Sequence, residues 1–237
     1  MSDGPRRDAD HALGELGRDD GLIAPGASPD DPVVPDPAAS YDRAASRPFA
    51  DADERAVVSV QIGRPARGRS AVVHRCAWGL PTVVRVDPRL PDGTPFPTVF
   101  WQTCPALRSR IGQLEADRSM VGINERLDGD RPDDVDFATE HAAAQERYRD
   151  FRDELGGELP GDPYAGGSPK YVKCLHVHAG HELATNDSPV GCWTVEAARP
   201  VPCQGPCVTP EDLDDHPVVA QLRRAEAAEP DPVADRR

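Results

Sequence analysis

The strongest constraint on this chain is where hydrophobic residues are missing. Residues 1–54 alternate Asp, Pro, Ala and Gly with hardly an apolar period, and carry 13 acids against 5 bases. Residues 208–237 are similar, with 8 acids and 4 bases, apart from a short helical pattern over Val218–Ala228. Chains of this kind bury too little apolar surface to offset their ordering entropy. The sequence therefore predicts a single folded domain over residues 55–195, between a disordered acidic tail over 1–54 and a Pro-rich acidic tail over 196–237. The net charge of −14 belongs almost wholly to the ends, because residues 55–207 hold 20 acids and 18 bases. All six cysteines and five of the seven histidines fall in that near-neutral middle.

This balance excludes some classes. A strongly acidic exterior argues against a protein that coats nucleic acid or lies on an anionic membrane. No apolar run approaches the ~20 residues a membrane helix needs, and the polar start Met1–Asp10 lacks the pattern of a secretory signal. A cytoplasmic location is the expectation. Six cysteines are too few for a disulfide scaffold at this length, but with the histidines they suffice for a metal site.

Within the domain, Ala56–Ile62 (AVVSVQI), Ser70–Arg75, Thr82–Val86 and Pro97–Gln102 read as four strands of an antiparallel meander, the first two joined by the loop Gly63–Gly68. Pro91-Asp92-Gly93 reads as a turn. Leu107, Ile111 and Leu114 recur at helical spacing after Pro105, and a short helix ends near Leu127. A long helix runs from Asp133 or Asp134 to about Leu155, stopped by Gly156-Gly157. Ser168-Pro169 then opens a helix over Lys170–Ala184. The fold class is α+β: a small antiparallel sheet of about four strands covered by three to four helices. There is no nucleotide-cofactor or phosphate-loop glycine motif.

The chemistry-bearing residues converge on this plan. His74 and Cys76, two apart on an extended strand, share a face, and Cys104 ends the fourth strand, where a meander sets it beside Cys76. On a helix over Lys170–Ala184, Cys174, His178 and His181 share one face, whereas His176 points almost opposite. Thiolate and imidazole in this number are zinc ligands, so Cys76, Cys104, Cys174, His178 and His181 form the candidate metal set, with His74 and His176 as additional members. Two alternatives stand beside it: reduced cysteines buried in a core, and a Cys76 or Cys174 thiolate activated by a nearby histidine.

Cys192, Cys203 and Cys207 form a second group in a Pro-rich stretch, where Cys203-x-x-x-Cys207 is compatible with zinc only if Cys192 and a ligand such as His216 join it. Residues 55–89 carry seven arginines and one acid, Asp87. Arg64, Arg67 and Arg69 crowd a glycine-bearing loop suited to a phosphate or carboxylate, against the plainer reading of a solvated basic face. An anionic ligand there is the one partner the sequence suggests.

The stretches Gly63-Arg64-Pro65-Ala66-Arg67-Gly68, His74-Arg75-Cys76-Ala77-Trp78-Gly79-Leu80-Pro81 and Pro88 through Thr98 (PRLPDGTPFPT) stand in an order shared with Thr103-Cys104-Pro105, Lys173-Cys174-Leu175-His176 and His181-Glu182-Leu183-Ala184. Together they resemble the mainly actinobacterial domain-of-unknown-function family 501, over about Val57–Trp193. The resemblance implies no activity. It singles out Cys76, Cys104, Cys174, His176 and His181 as motif residues, which sets His176 against the helix-face argument. The functional expectation is a binding or regulatory protein with a Cys/His zinc site. The alternative is a hydrolase- or transferase-like enzyme using a cysteine nucleophile, or zinc-activated water, on an anionic phosphate-bearing substrate.

Overall fold

The computed structural model describes residues 36–129, 131–201 and 203–228. The tails expected to be disordered lie partly outside that range, at residues 1–35 and 229–237. Their described portions are folded.

Residues 37–46, placed by the sequence in the acidic tail, form helix α1 (Pro37–Ser46), which Asp36 caps by accepting the Ala38 amide at 3.0 Å. Ser40, Tyr41 and Ala44 are buried, a helical period that the surrounding Asp, Pro and Ala conceal. Helix α2 (Ala52–Ile62) occupies the run expected to be the first strand. Its β-branched residues favour strand by at most about 1 kcal/mol, and stronger local signals oppose them. Asp51 accepts the Glu54 amide at 2.9 Å, Asp53 and Glu54 complement the helix dipole, and Gly63 at φ +72° ends the helix in a left-handed cap.

The sheet therefore has three strands rather than four: β1 (Ser70–Arg75), β2 (Pro81–Val86) and β3 (Phe100–Gln102), antiparallel in the order β1-β2-β3. The hairpin joins β1 to β2 through residues 76–80, with irregularities in register on either side of His74. The sheet is covered on both faces. Val72, Val84 and the partly buried Trp101 meet Val58 and Ile62 of α2. Val83 and Phe100 face the opposite way, against Tyr41, Tyr148 and Phe151.

The remaining elements are α3 (Pro105–Ala116), α4 (Ser119–Leu127), α5 (Pro132–Gly156), a short hairpin β4 (Gly167–Ser168) with β5 (Tyr171–Val172), α6 (Leu175–Thr185), α7 (Pro189–Ala197), α8 (Pro210–Asp214) and α9 (Pro217–Ala228). Leu107, Ile111, Ile123, Leu127, Val172, Leu175, Ala179 and Val190 join α3, α4, β5, α6 and α7 in one core cluster. The apolar face of α9, Val219 and Leu222, closes on Ala56, and Arg55 reinforces it with a 2.9 Å bond to Glu226. Helix α6 starts five residues later than the sequence suggests, because Gly167–Val172 pair as a hairpin instead of winding.

Helix α7 packs closely on α6. A Cβ added at Gly191 would collide with the His178 carbonyl and lie 2.6 Å from Cβ of Glu182. Backbone on one side leaves no rotamer through which to relax, so Gly191→Ala is expected to cost about 1–3 kcal/mol, read as a lower urea midpoint. An unchanged midpoint would mean that the two helices separate freely.

Candidate metal centre

Two helices, α3 and α6, bring the candidate site's side chains together. Glu115 sits in the last turn of α3, Cys174 is the residue that precedes α6, and His176 lies in the first turn of α6. The Glu115 carboxylate accepts the Leu175 amide at 2.7 Å, so an anion from a neighbouring helix meets the free N–H groups of α6, where the helix dipole favours it. The same carboxylate oxygen lies 3.2 Å from Nδ1 of His176, and Nε2 of that ring lies 3.1 Å from the Arg108 carbonyl.

The electrostatics follow from this geometry. A hydrogen bond with Cys174 raises the pKa of His176, Glu115 and the Arg108 carbonyl add to the effect, partial burial opposes it, and the value is pushed up to about 9. Both ring nitrogens face acceptors, which a doubly protonated ring satisfies. A cation at Nδ1 would take the place of that proton while Nε2–H stays on the Arg108 carbonyl, an outer bond of the kind that orients a metal-bound imidazole.

Glu115, Cys174 and His176 place one ligand atom each within 4.8 Å of one another, and among the described residues no other His, Cys, Asp or Glu trio does so. The set Cys76, Cys104, Cys174, His178 and His181 is not gathered in this way. Cys174 has φ −149° and lies outside the helix, so the helical wheel that aligned it with His178 and His181 does not apply. His176, expected on the opposite side, is its actual neighbour. His178 and His181 turn into the core at 1% exposure, beside the equally buried His141, whose ring centroid is 5.2 Å from that of His178. Burial, with His141 nearby, pushes both pKa values down, His181 to about 3. His181 lies 2.6 Å from the Tyr41 hydroxyl, which also donates to Asp187 at 3.2 Å. His74 is half-buried, and burial lowers its pKa. Glu115 was not legible as a site residue: it lies 59 positions before Cys174, in a helix whose pattern announces only its core face.

Cys174 and His176 form one wall of a cavity of about 300 Å³ whose lining includes Arg64, Arg108, Trp101 and Gln102. Of the three loop arginines, Arg67 pairs with Asp92 at 2.7 Å, and Arg69 lies 3.5 Å from Asp87 and stacks 4.0 Å above the Phe49 ring. Arg64 contacts the Pro65 carbonyl at 3.5 Å and, among the described residues, no carboxylate. The basic loop thus delivers one uncommitted guanidinium to the cavity rather than three.

Fold and site together define a small α+β domain with a Cys/His/Glu cluster beside a basic cavity. Residues 72–196, more than half of the chain, match the family described as protein of unknown function (DUF501), and the chain belongs to that family. The match spans Cys76, Cys104, Glu115, Cys174 and His176, and ends before Cys203 and Cys207. No curated protein and no solved structure matches the chain. No helix among the described residues is long and apolar enough to cross a membrane.

Proposed function

We propose that Glu115, Cys174 and His176 bind zinc, and that the protein is a metal-assisted hydrolase or transferase acting on a phosphate-bearing anion held by Arg64 and Arg108. One observation carries this reading: two of the three clustered ligand groups, Cys174 and His176, line a cavity that also presents two guanidinium groups. Three protein ligands with a position left open are the arrangement of catalytic zinc, whereas structural zinc is closed by four. Zinc would supply Lewis acidity toward the bound anion. The chain's own contribution is binding and orientation: Arg64 and Arg108 supply forked donors that match phosphate oxygens, and Glu115 fixes the His176 ring. The open cavity favours an enzyme over the purely regulatory binding role.

The test is zinc analysis of the full chain, with titration of inorganic phosphate. His176→Ala is expected to remove about one zinc per chain. Arg64→Ala is expected to keep zinc and weaken phosphate binding roughly tenfold, the loss of a charge-assisted bond worth about 1.5–3 kcal/mol in full. Unchanged zinc content in His176→Ala would falsify the metal reading.

A second reading rests on the raised His176 pKa. Without metal, Cys174, His176 and Glu115 have the order of a nucleophile, its imidazolium partner and an orienting carboxylate. It predicts zinc-free protein whose Cys174 alkylates faster than the other five cysteines, with that advantage lost in His176→Ala.

A further inference from the structure

The sheet face under α2 encloses a second space beside the metal-side cavity. A cavity of about 120 Å³ lies among Val58 of α2, Val84 of β2 and the rings of Phe96 and Trp101, whose centroids are 5.3 Å apart. The loop bearing Arg64 and Arg67 completes its wall. That loop is tied to the turn before β3, because Arg67 pairs with Asp92 at 2.7 Å and a Cβ at Gly68 would lie 3.4 Å from the Pro91 ring. Ile62, Arg64 and Trp101 line both cavities, so the two adjoin across those side chains.

We propose that this cavity holds the organic part of the substrate, a single aromatic ring, so that the substrate is a small aryl phosphate ester. The inference rests on the anion site proposed above and names what the anion is attached to.

Size, shape and charge each support this. A cavity of roughly 150 Å³ takes a benzene ring, and one of about 120 Å³ with an open mouth suits a ring still bonded to its phosphate. The Phe96 and Trp101 rings, tilted at 38°, offer a new ring the offset or edge-on contacts that aromatic groups prefer. Arg64 contacts no carboxylate among the described residues. A phosphate on its guanidinium therefore has the apolar walls on one side and Cys174 with His176 on the other.

The walls also hold polar groups without partners. Ser70, 3% exposed, lines the apolar cavity, and its Oγ has no hydrogen-bond partner. Gln102, 5% exposed, lines the metal-side cavity, and neither its Nε2 nor its Oε1 has one. About nine in ten buried polar groups are paired, and an orphan calls for a missing partner. Ester and phosphate oxygens supply acceptors for the Ser70 hydroxyl and the Gln102 amide.

The experiment titrates the full chain by calorimetry with methylphosphonate, butylphosphonate and phenylphosphonate, which share one anion and resist hydrolysis. Phenylphosphonate is expected to bind about tenfold tighter than methylphosphonate or better, the gain from burying a ring. Its heat-capacity change is expected to be more negative, as apolar burial requires. Ala66→Leu, at a half-buried position in the cavity wall, is expected to remove most of that preference and keep methylphosphonate affinity. Arg64→Ala is expected to weaken all three alike, by about tenfold. Equal affinity for the phenyl and methyl compounds overturns the proposal, as does a preference undiminished in Ala66→Leu. Butylphosphonate binding as tightly as phenylphosphonate overturns the aromatic ring. The heat-capacity difference is read on the unaltered chain, so it decides the matter if Ala66→Leu does not fold. Zinc content tests the metal separately: if His176→Ala keeps its zinc while the phenyl preference holds, the metal reading fails and this cavity stands. Absence of binding by all three compounds removes the anion site and this proposal together.

Discussion

Acidification from about pH 6.5 to 3.5 is expected to lower the stability of the fold progressively, against a whole margin of about 5–15 kcal/mol. The cause is His178 and His181, buried as neutral rings. A histidine whose folded pKa lies below its unfolded value of about 6.5 takes its proton first in the unfolded chain. Its contribution to stability is complete above that pH and falls as pH drops toward the folded value, about 3 for His181. Around His181 stand Tyr41, Tyr148, His141 and, beyond Tyr41, Arg147 with its bidentate hold on Asp187. Around His178 stand His141 and His181. Glu182 works in the opposite direction. Burial, with Asp187 and Glu196 nearby, raises its pKa from 4.5 to about 7, so its folded form binds the extra proton across that window. Both histidines thus remove stability as pH falls below about 6.5, Glu182 offsets part of that loss down to about pH 4.5, and the slope steepens below it. On the alkaline side, His176 loses its stabilising proton as pH rises toward about 9, which sets maximal stability near neutrality. Urea midpoints followed across pH with a chelator present separate this effect from metal loss. A midpoint that stays flat between pH 6.5 and 4 would sink the prediction, and His178→Phe is expected to reduce the slope below pH 4.5 by about half.

These buried histidines also mark where sequence reading fails and why. Strands β1 and β2 were legible because β-branched runs there end at turn residues, and α3, α5 and α9 because apolar residues recur at helical spacing. In α2 the same β-branched residues misled: the caps Asp51 and Gly63 outweigh their intrinsic preference. The burial of Tyr41 was hidden because a single helical turn of apolar contact is invisible within acidic low-complexity sequence. Helix α7 carried a readable start, Ser188-Pro189, whose serine accepts the Gly191 amide at 3.0 Å. At the site, Cys174 was identified from residue type and His176 from a family motif, but the helix-face argument assigned the wrong partners. A hairpin of two residues per strand delays α6 to Leu175 and turns Cys174 from a helical position into its cap. No periodicity encodes Glu115, because its role depends on the tertiary approach of α3 to the start of α6. That start has no side-chain cap of its own, and an uncapped helix start close to a carboxylate is the one signal that points to it.

Phe100→Ala is the single substitution expected to cost most, about 3–5 kcal/mol. Phe100 is fully buried, stacks on Phe151 at 5.3 Å and 17°, meets Tyr148 edge-on at 5.6 Å, and lies almost parallel to the His181 ring at 6.1 Å. Truncation leaves a cavity among rings that are themselves tied down. Tyr148 accepts the Val99 amide at 2.8 Å, and Tyr41 is bonded to His181 and Asp187, so collapse into the space would break buried hydrogen bonds at about 1–3 kcal/mol each. Phe100→Leu keeps most of the volume and is expected to cost less than half as much. The pair also probes function, because Phe100 lines the cavity that Cys174 and His176 border. It contacts the wall and supplies no ligand. Phe100→Leu should therefore retain zinc while weakening phosphate binding as the wall relaxes, whereas His176→Ala should lose both. Equal loss of zinc in Phe100→Leu and His176→Ala would show that the aromatic core, rather than the Glu115–Cys174–His176 geometry, controls metal binding.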